Sequence, residues 1–172
     1  MTYQPKNSNH VAPVTTVILF AVGAVSFLGS GFLPYKMLFE LTAVLTVTLG
    51  IQLTQKYLLT TYEYRLNDLD TLHAHNDLIV VKKQGKRETV LCNLTLNAAV
   101  AAVRDESLGV IEKTYGKMGY RFHFFAELFP ADRCGVILEF NGKRTLIRLQ
   151  GNEDFYQALC ERIAAQSAET ER

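Results

Sequence analysis

The sequence predicts an α+β membrane protein: an N-terminal two-helix transmembrane hairpin, then a mainly antiparallel β domain that ends in a helix. Three observations carry this. Val11 to Tyr35 and Met37 to Gln55 are apolar stretches interrupted by charge only at Lys36 and Glu40, each near the ~20 residues that cross a hydrocarbon core as a helix. From Thr61 the hydrophobic period changes to two, the spacing of half-buried strands. Phe155, Ala158, Leu159 and Ile163 then return to helical spacing.

This organisation places a polar tail at 1–10, the hairpin at 11–59, one soluble domain at 60–165 and a frayed tail at 166–172. The first apolar stretch exceeds the roughly 7 to 15 residues of a secretory core, and a second follows at once, so both helices are expected in the mature chain. A formal net charge of +1 argues against a nucleic-acid partner, whose binding needs a concentrated excess of Lys and Arg. Cys92, Cys134 and Cys160 are odd in number and widely spaced, which fits free thiols in a reducing compartment. Two spans put both flanks on one side. Lys6, Lys56 and Arg65 there outnumber Lys36 in the hairpin, so a multi-pass protein of the cell membrane is expected, with both termini cytoplasmic.

Within the hairpin, Pro13 suits a first helical turn and Pro34 an end. Tyr35, Lys36, Lys56 and Tyr57 are groups expected at headgroup level. Gly23, Ser26, Gly29 and Ser30 put small side chains on one side of the first helix, a surface for helix packing. The second span is the nearer partner, and a seam between two chains is the alternative. Glu40 lies four residues after Lys36, so an i,i+4 pair accounts for it without a transport role.

In the soluble domain Tyr62, Tyr64 and Leu66 alternate with Glu63 and Arg65. Leu78 to Lys83 and Arg87 to Leu94 flank a turn at Gln84-Gly85-Lys86, and Ala98 to Arg104 adds a strand. Tyr120, Phe122, Phe124, Ala126 and Leu128 form one face of a longer strand, read as core, against Arg121, His123, Phe125 and Glu127. Val136, Leu138 and Phe140 precede Asn141-Gly142, whose tolerance of positive φ suits a tight hairpin, and Thr145, Ile147 and Leu149 return. Asn152 is a helix cap, with Glu153 and Asp154 in the first turn.

About seven short strands in hairpins followed by one helix resembles the pleckstrin-homology (PH) superfold. The whole chain is similar to small bacterial membrane proteins in which two spans precede a PH-like domain. The residues that carry this are the Tyr62–Tyr64 strand, the Leu78–Lys83 strand with its Gly85-Lys86-Arg87 turn, and the final Asn141-Gly142 hairpin plus helix. The resemblance implies a bent β-barrel closed by the C-terminal helix. Residues Asp105 to Gly119 fit that plan least and read as an irregular excursion.

Lys82, Lys83, Lys86 and Arg87 cluster on one hairpin. By the resemblance they are a contact for an anionic lipid headgroup; as a solvated turn they simply blunt edge pairing, which is the favoured account. Phe125 and Ile137 fall on outward strand positions and form a candidate patch for a protein partner, unless they pack beneath the excursion before Tyr120. His73 and His75 alternate with Asp77 nearby, and His123 stands elsewhere; three such groups converging would be needed for a metal. Nucleotide-loop, nucleophile-elbow and zinc-protease motifs do not occur, and no catalytic or cofactor-binding residue is assigned. The expected function is a non-enzymatic, membrane-anchored PH-like module that presents its β domain to a protein partner or, secondarily, to an anionic lipid. The alternatives are a small metal-dependent enzyme using His73, His75 and His123, and an accessory subunit recognised through its spans.

Overall fold

A computed structural model describes residues 1–6, 10–32, 35–67, 78–140 and 142–170, with side chains through 166. The chain divides into two compact units, one of residues 7–61 with 127–129 and one of residues 1–6, 62–126 and 130–172.

The first unit is a helical hairpin. Helix α1 spans Val11–Gly29 and α2 spans Lys36–Leu53. The latter runs on into one π-helical turn, Thr54–Leu58, where the Leu59 amide donates to the Thr54 carbonyl at 3.0 Å. The helices meet through small residues: Ala12, Thr16, Gly23 and Ser26 are buried on α1, Ala43 and Gly50 on α2. A Cβ at Gly23 would lie 2.8 Å from Val47 Cγ2, and one at Gly50 would lie 3.2 Å from the Phe20 ring. Close backbone approach maximises dispersion contact where no hydrophobic effect drives helices together. Ser30 is also buried, its hydroxyl donating to the Phe27 carbonyl at 2.7 Å, and Gly29 is half-buried. Of the expected small-residue face, Gly23 lies directly against α2 within the chain.

Most other apolar groups of the hairpin, among them Val17, Val25, Phe27, Leu28, Leu38 and Val44, are exposed. Two helices, of 19 and 23 residues when the π turn is included, are long and apolar enough to cross a membrane. The α2 hydroxyls are satisfied by their own helix: Thr42, Thr46, Thr48 and Thr54 donate to carbonyls one turn back at 2.7 to 2.9 Å. Glu40 sits 3.8 Å from Lys36, as the i,i+4 spacing predicts.

The second unit contains two four-stranded sheets. Strands β1 (Thr2–Tyr3), β2 (Thr60–Leu66), β3 (Leu78–Gln84) and β4 (Arg87–Leu94) lie side by side in chain order. After a short 3₁₀ turn come β5 (Ala99–Arg104), α3 (Leu108–Tyr115), β6 (Met118–Phe124), β7 (Cys134–Phe140), β8 (Lys143–Leu149) and α4 (Glu153–Thr170). The second sheet runs β5-β7-β8-β6. The β7–β8 hairpin forms as predicted, with Phe140 opposite Lys143 and Gly142 at φ +71°. The β3–β4 turn at Gly85-Lys86 also forms, Gly85 taking φ +58°.

One core joins the inner faces of both sheets and α4: Tyr62, Tyr64, Leu78, Val80, Val136, Leu138, Ile147, Leu149, Phe155 and Leu159 are its main members. Asn152 caps α4, its Oδ1 accepting from the Phe155 amide at 3.1 Å, and Glu153 and Asp154 occupy the first turn. Gly151 has no alternative, because a Cβ there would come within 2.5 Å of Phe155 Cδ1. A second cluster of Val103, Ile111, Met118, Ile137 and Leu146 fills the other face of the second sheet, covered by α3.

Several expectations are corrected. The sheets do not close into a barrel; they remain separate ladders over a shared core, since no described strand pairs join them. The polar tail contributes β1, whose Thr2 and Tyr3 pair with Arg65 and Tyr64. Residues Asp105 to Gly119 hold the helix α3 rather than an irregular excursion. Helix α4 continues past the expected fraying point, with Gln166 buried. Ile137 is fully buried under Ile111, so it belongs to no surface patch. The strand expected through Leu128 ends at Phe124, because the Ala126 amide is taken by the Gln150 side chain at 3.1 Å instead of a strand partner. Pro34 and Asn141 lie outside the described residues.

Candidate functional site

Strand β6 is an edge strand of the second sheet, with most of its side chains exposed. It pairs with β8 alone, in parallel, with Phe122 beside Ile147 and Phe124 beside Leu149. Its other edge faces no described strand. Register places Tyr120, Phe122 and Phe124 on the same face as the core residues Ile147 and Leu149, so the predicted orientation is right. Their outer part is nonetheless open: Tyr120 is 55% exposed and Phe122 47%. Phe122 and Phe124 stack with centroids 6.4 Å apart and planes 4° from parallel. On the opposite face Arg121 reaches Glu112 of α3 at 2.6 Å, and the His123 ring lies 5.6 Å from that of the half-buried Phe125. An open edge supplies a row of backbone donors and acceptors, and the adjacent aromatic stripe supplies apolar area.

The tip of β6 is held firmly. Tyr64 Oη donates to the Phe124 carbonyl at 2.5 Å and accepts from the Gln150 amide at 3.3 Å. Burial pushes the Tyr64 phenol well above its ordinary range, so it stays neutral and available as a donor.

The basic hairpin at β3–β4 is partly neutralised. Lys83 Nζ lies 2.5 Å from Glu63 and 3.1 Å from Glu88, and Arg65 also pairs with both carboxylates. Lys83 first and Arg65 second hold the Glu63 carboxyl below its ordinary range, and the two glutamates raise Lys83. Lys82 is half-buried, while Lys86 and Arg87 are exposed. The sequence-level cluster of four cations is thus reduced to Lys86 and Arg87 at the turn with Lys82 behind them.

His73, His75 and Asp77 lie outside the described residues. Among the described residues no group of three metal-ligating side chains converges, and His123 lies on β6. The exposed aromatic stripe was missed by period alone, since alternation identifies a face but not whether anything packs on it. Comparison with known proteins yields no family model, curated protein or solved structure that matches the chain.

Proposed function

We propose that this chain is a membrane-anchored, non-enzymatic binding module with a PH-like β domain. In this reading α1 and α2 cross the cell membrane as a hairpin, both termini lie on the cytoplasmic side, and the β domain engages a protein partner by strand addition at β6. An anionic lipid headgroup at Lys82, Lys83, Lys86 and Arg87 is a secondary contact, reduced by the Glu63 and Glu88 pairings.

The anchoring is supported by exposure: only 22% and 11% of the two helical windows are buried, whereas a helix serving as a soluble core would be mostly covered. Hydrocarbon around the hairpin would solvate those side chains, and the self-satisfied threonines would cost little there. The partner reading rests on one observation, the exposed Tyr120 and Phe122 rings, continued by the half-buried Phe124, beside a strand edge that no described strand pairs. Main-chain pairing would give affinity and the aromatic groups specificity.

The test uses the intact chain in native membranes, with a photoreactive amino acid at position 122 or at position 86. Crosslinks from 122 that disappear with Tyr120→Asp are expected. Crosslinks from 86 alone would transfer the function to the basic hairpin, and release of the chain by alkaline carbonate would remove the anchor.

A further inference from the structure

A second basic constellation, distinct from the β3–β4 hairpin and not visible as a run in the sequence, lies where β6 begins and β7 turns into β8. Lys117, Met118, Gly119, Glu139, Gly142, Lys143 and Arg144 line an open cleft of about 440 Å³, within the usual range for small-ligand pockets. Parallel pairing of β6 with β8 brings the parts together, setting Met118 beside Arg144. The register slips between Met118 and Tyr120, leaving Gly119 as an unmatched bulge whose added Cβ would lie 3.5 Å from the Arg144 carbonyl. Gly116, just before, adopts φ +81° and ψ 178°, a region open essentially to glycine alone. A Cβ there would lie 3.2 Å from Arg144 Nη1.

The charges are unevenly committed. Arg144 Nε is held by Glu139 at 3.0 Å. Among the described residues Lys117 and Lys143 make no ion pair, in contrast to Lys83 with its two carboxylates. Three cations and one carboxylate therefore border a single concave space, with two ammonium groups unspent.

We propose that this cleft binds the phosphate monoester of a small phosphorylated ligand. Two lysines supply movable point charges and Arg144, positioned by Glu139, supplies a fixed planar donor, a set suited to a dianion with three acceptor oxygens. A single cleft on a chain of net charge +1 takes one phosphate rather than a polyanion, whose many phosphates need an extended basic surface. This proposal does not rest on protein docking at β6, although Met118 and Gly119 of the cleft begin that strand.

The experiment is amine footprinting by mass spectrometry on the intact chain in nanodiscs. In phosphatidylcholine discs, glycerol 3-phosphate is compared with glycerol; in a second arm the discs contain phosphatidic acid and no soluble ligand. Several-fold protection of Lys117 and Lys143, with Lys86 unchanged, is expected. Protection by glycerol 3-phosphate identifies a soluble ligand, and protection only with phosphatidic acid identifies a lipid headgroup. Titration calorimetry with the effective ligand then gives at least tenfold weaker binding for Lys117→Gln/Lys143→Gln. No protection in either arm, equal protection of Lys86, or unchanged affinity in the double variant overturns the proposal.

Discussion

The Tyr64 hydroxyl donates to the carbonyl oxygen of Phe124 at 2.5 Å, joining the middle of β2 to the last residue of β6 across the shared core. The Tyr64 hydroxyl oxygen in turn accepts from the Gln150 amide at 3.3 Å. Tyr64→Phe keeps the ring and removes both bonds, leaving two backbone groups without that partner. A loss of about 1–3 kcal/mol is expected, read as a lower urea midpoint at unchanged slope. An unaltered midpoint would show that water replaces the hydroxyl at no cost.

Gly23 and Gly31 make a matched pair for testing the hairpin. A Cβ at Gly23 meets Val47 Cγ2 at 2.8 Å, whereas one at Gly31 meets only the Leu28 carbonyl at 3.9 Å. Gly23→Leu is expected to separate α1 from α2 and lower the thermal midpoint in detergent; Gly31→Leu is expected to leave it near the parent value. Equal effects would mean that contact across this face does not hold the helices.

Glu63 links β2 to the β3–β4 hairpin through Lys83 and Arg65. Its folded carboxyl titrates below the ordinary 4.5, so the unfolded chain binds its proton first as pH falls. The stabilisation is therefore full above the ordinary carboxylate range and fades as pH drops through the folded value. Urea midpoints measured from about pH 7 to about pH 3 should fall less steeply for Glu63→Gln than for the parent. Salt should narrow the gap between them, because Lys83 and Arg65 are partly exposed. Parallel acid limbs would assign the pH dependence elsewhere.

Cys134 is buried, and burial pushes its thiol up to about 12. Because thiolate is the reactive form, Cys134 should resist maleimide at pH near 8 in the folded chain and react once urea unfolds the β unit. Labelling by mass spectrometry reports the order. Early modification of Cys134 would mean that the core between β7 and Gly151 opens below the global transition.

Much of the fold was legible because it depends on local period and local chemistry. The two apolar blocks, the Gly85-Lys86 turn, the β7–β8 hairpin and the Asn152 cap are each specified within about ten residues of sequence, where dihedral preference and hydrogen bonding act directly. For Ile137 two accounts stood, an outward patch or packing beneath the segment before Tyr120, and the second holds. Alternation placed it opposite Val136 and Leu138 correctly, but α3 arrives from elsewhere in the chain to cover that second face, so a strand with two buried faces looked like one with a wet side. Tyr120 and Phe122 are the converse case, residues on the core-side face that stay exposed. Lys117, Lys143 and Arg144 carried no signal as a group, since only the parallel β6–β8 pairing makes neighbours of positions far apart in sequence.

By itself the sequence determined the kinds of element and their order: a two-helix apolar hairpin, short strands in turns, and a capped terminal helix. These follow from residue spacing, which sets which side of an element is apolar. Only the tertiary structure decided that the strands form two ladders rather than a closed barrel, that β6 is left as an aromatic edge, and that a basic cleft opens where β6 begins. Those features depend on which faces meet and which edges pair, and such pairings are settled by long-range packing that no local period encodes.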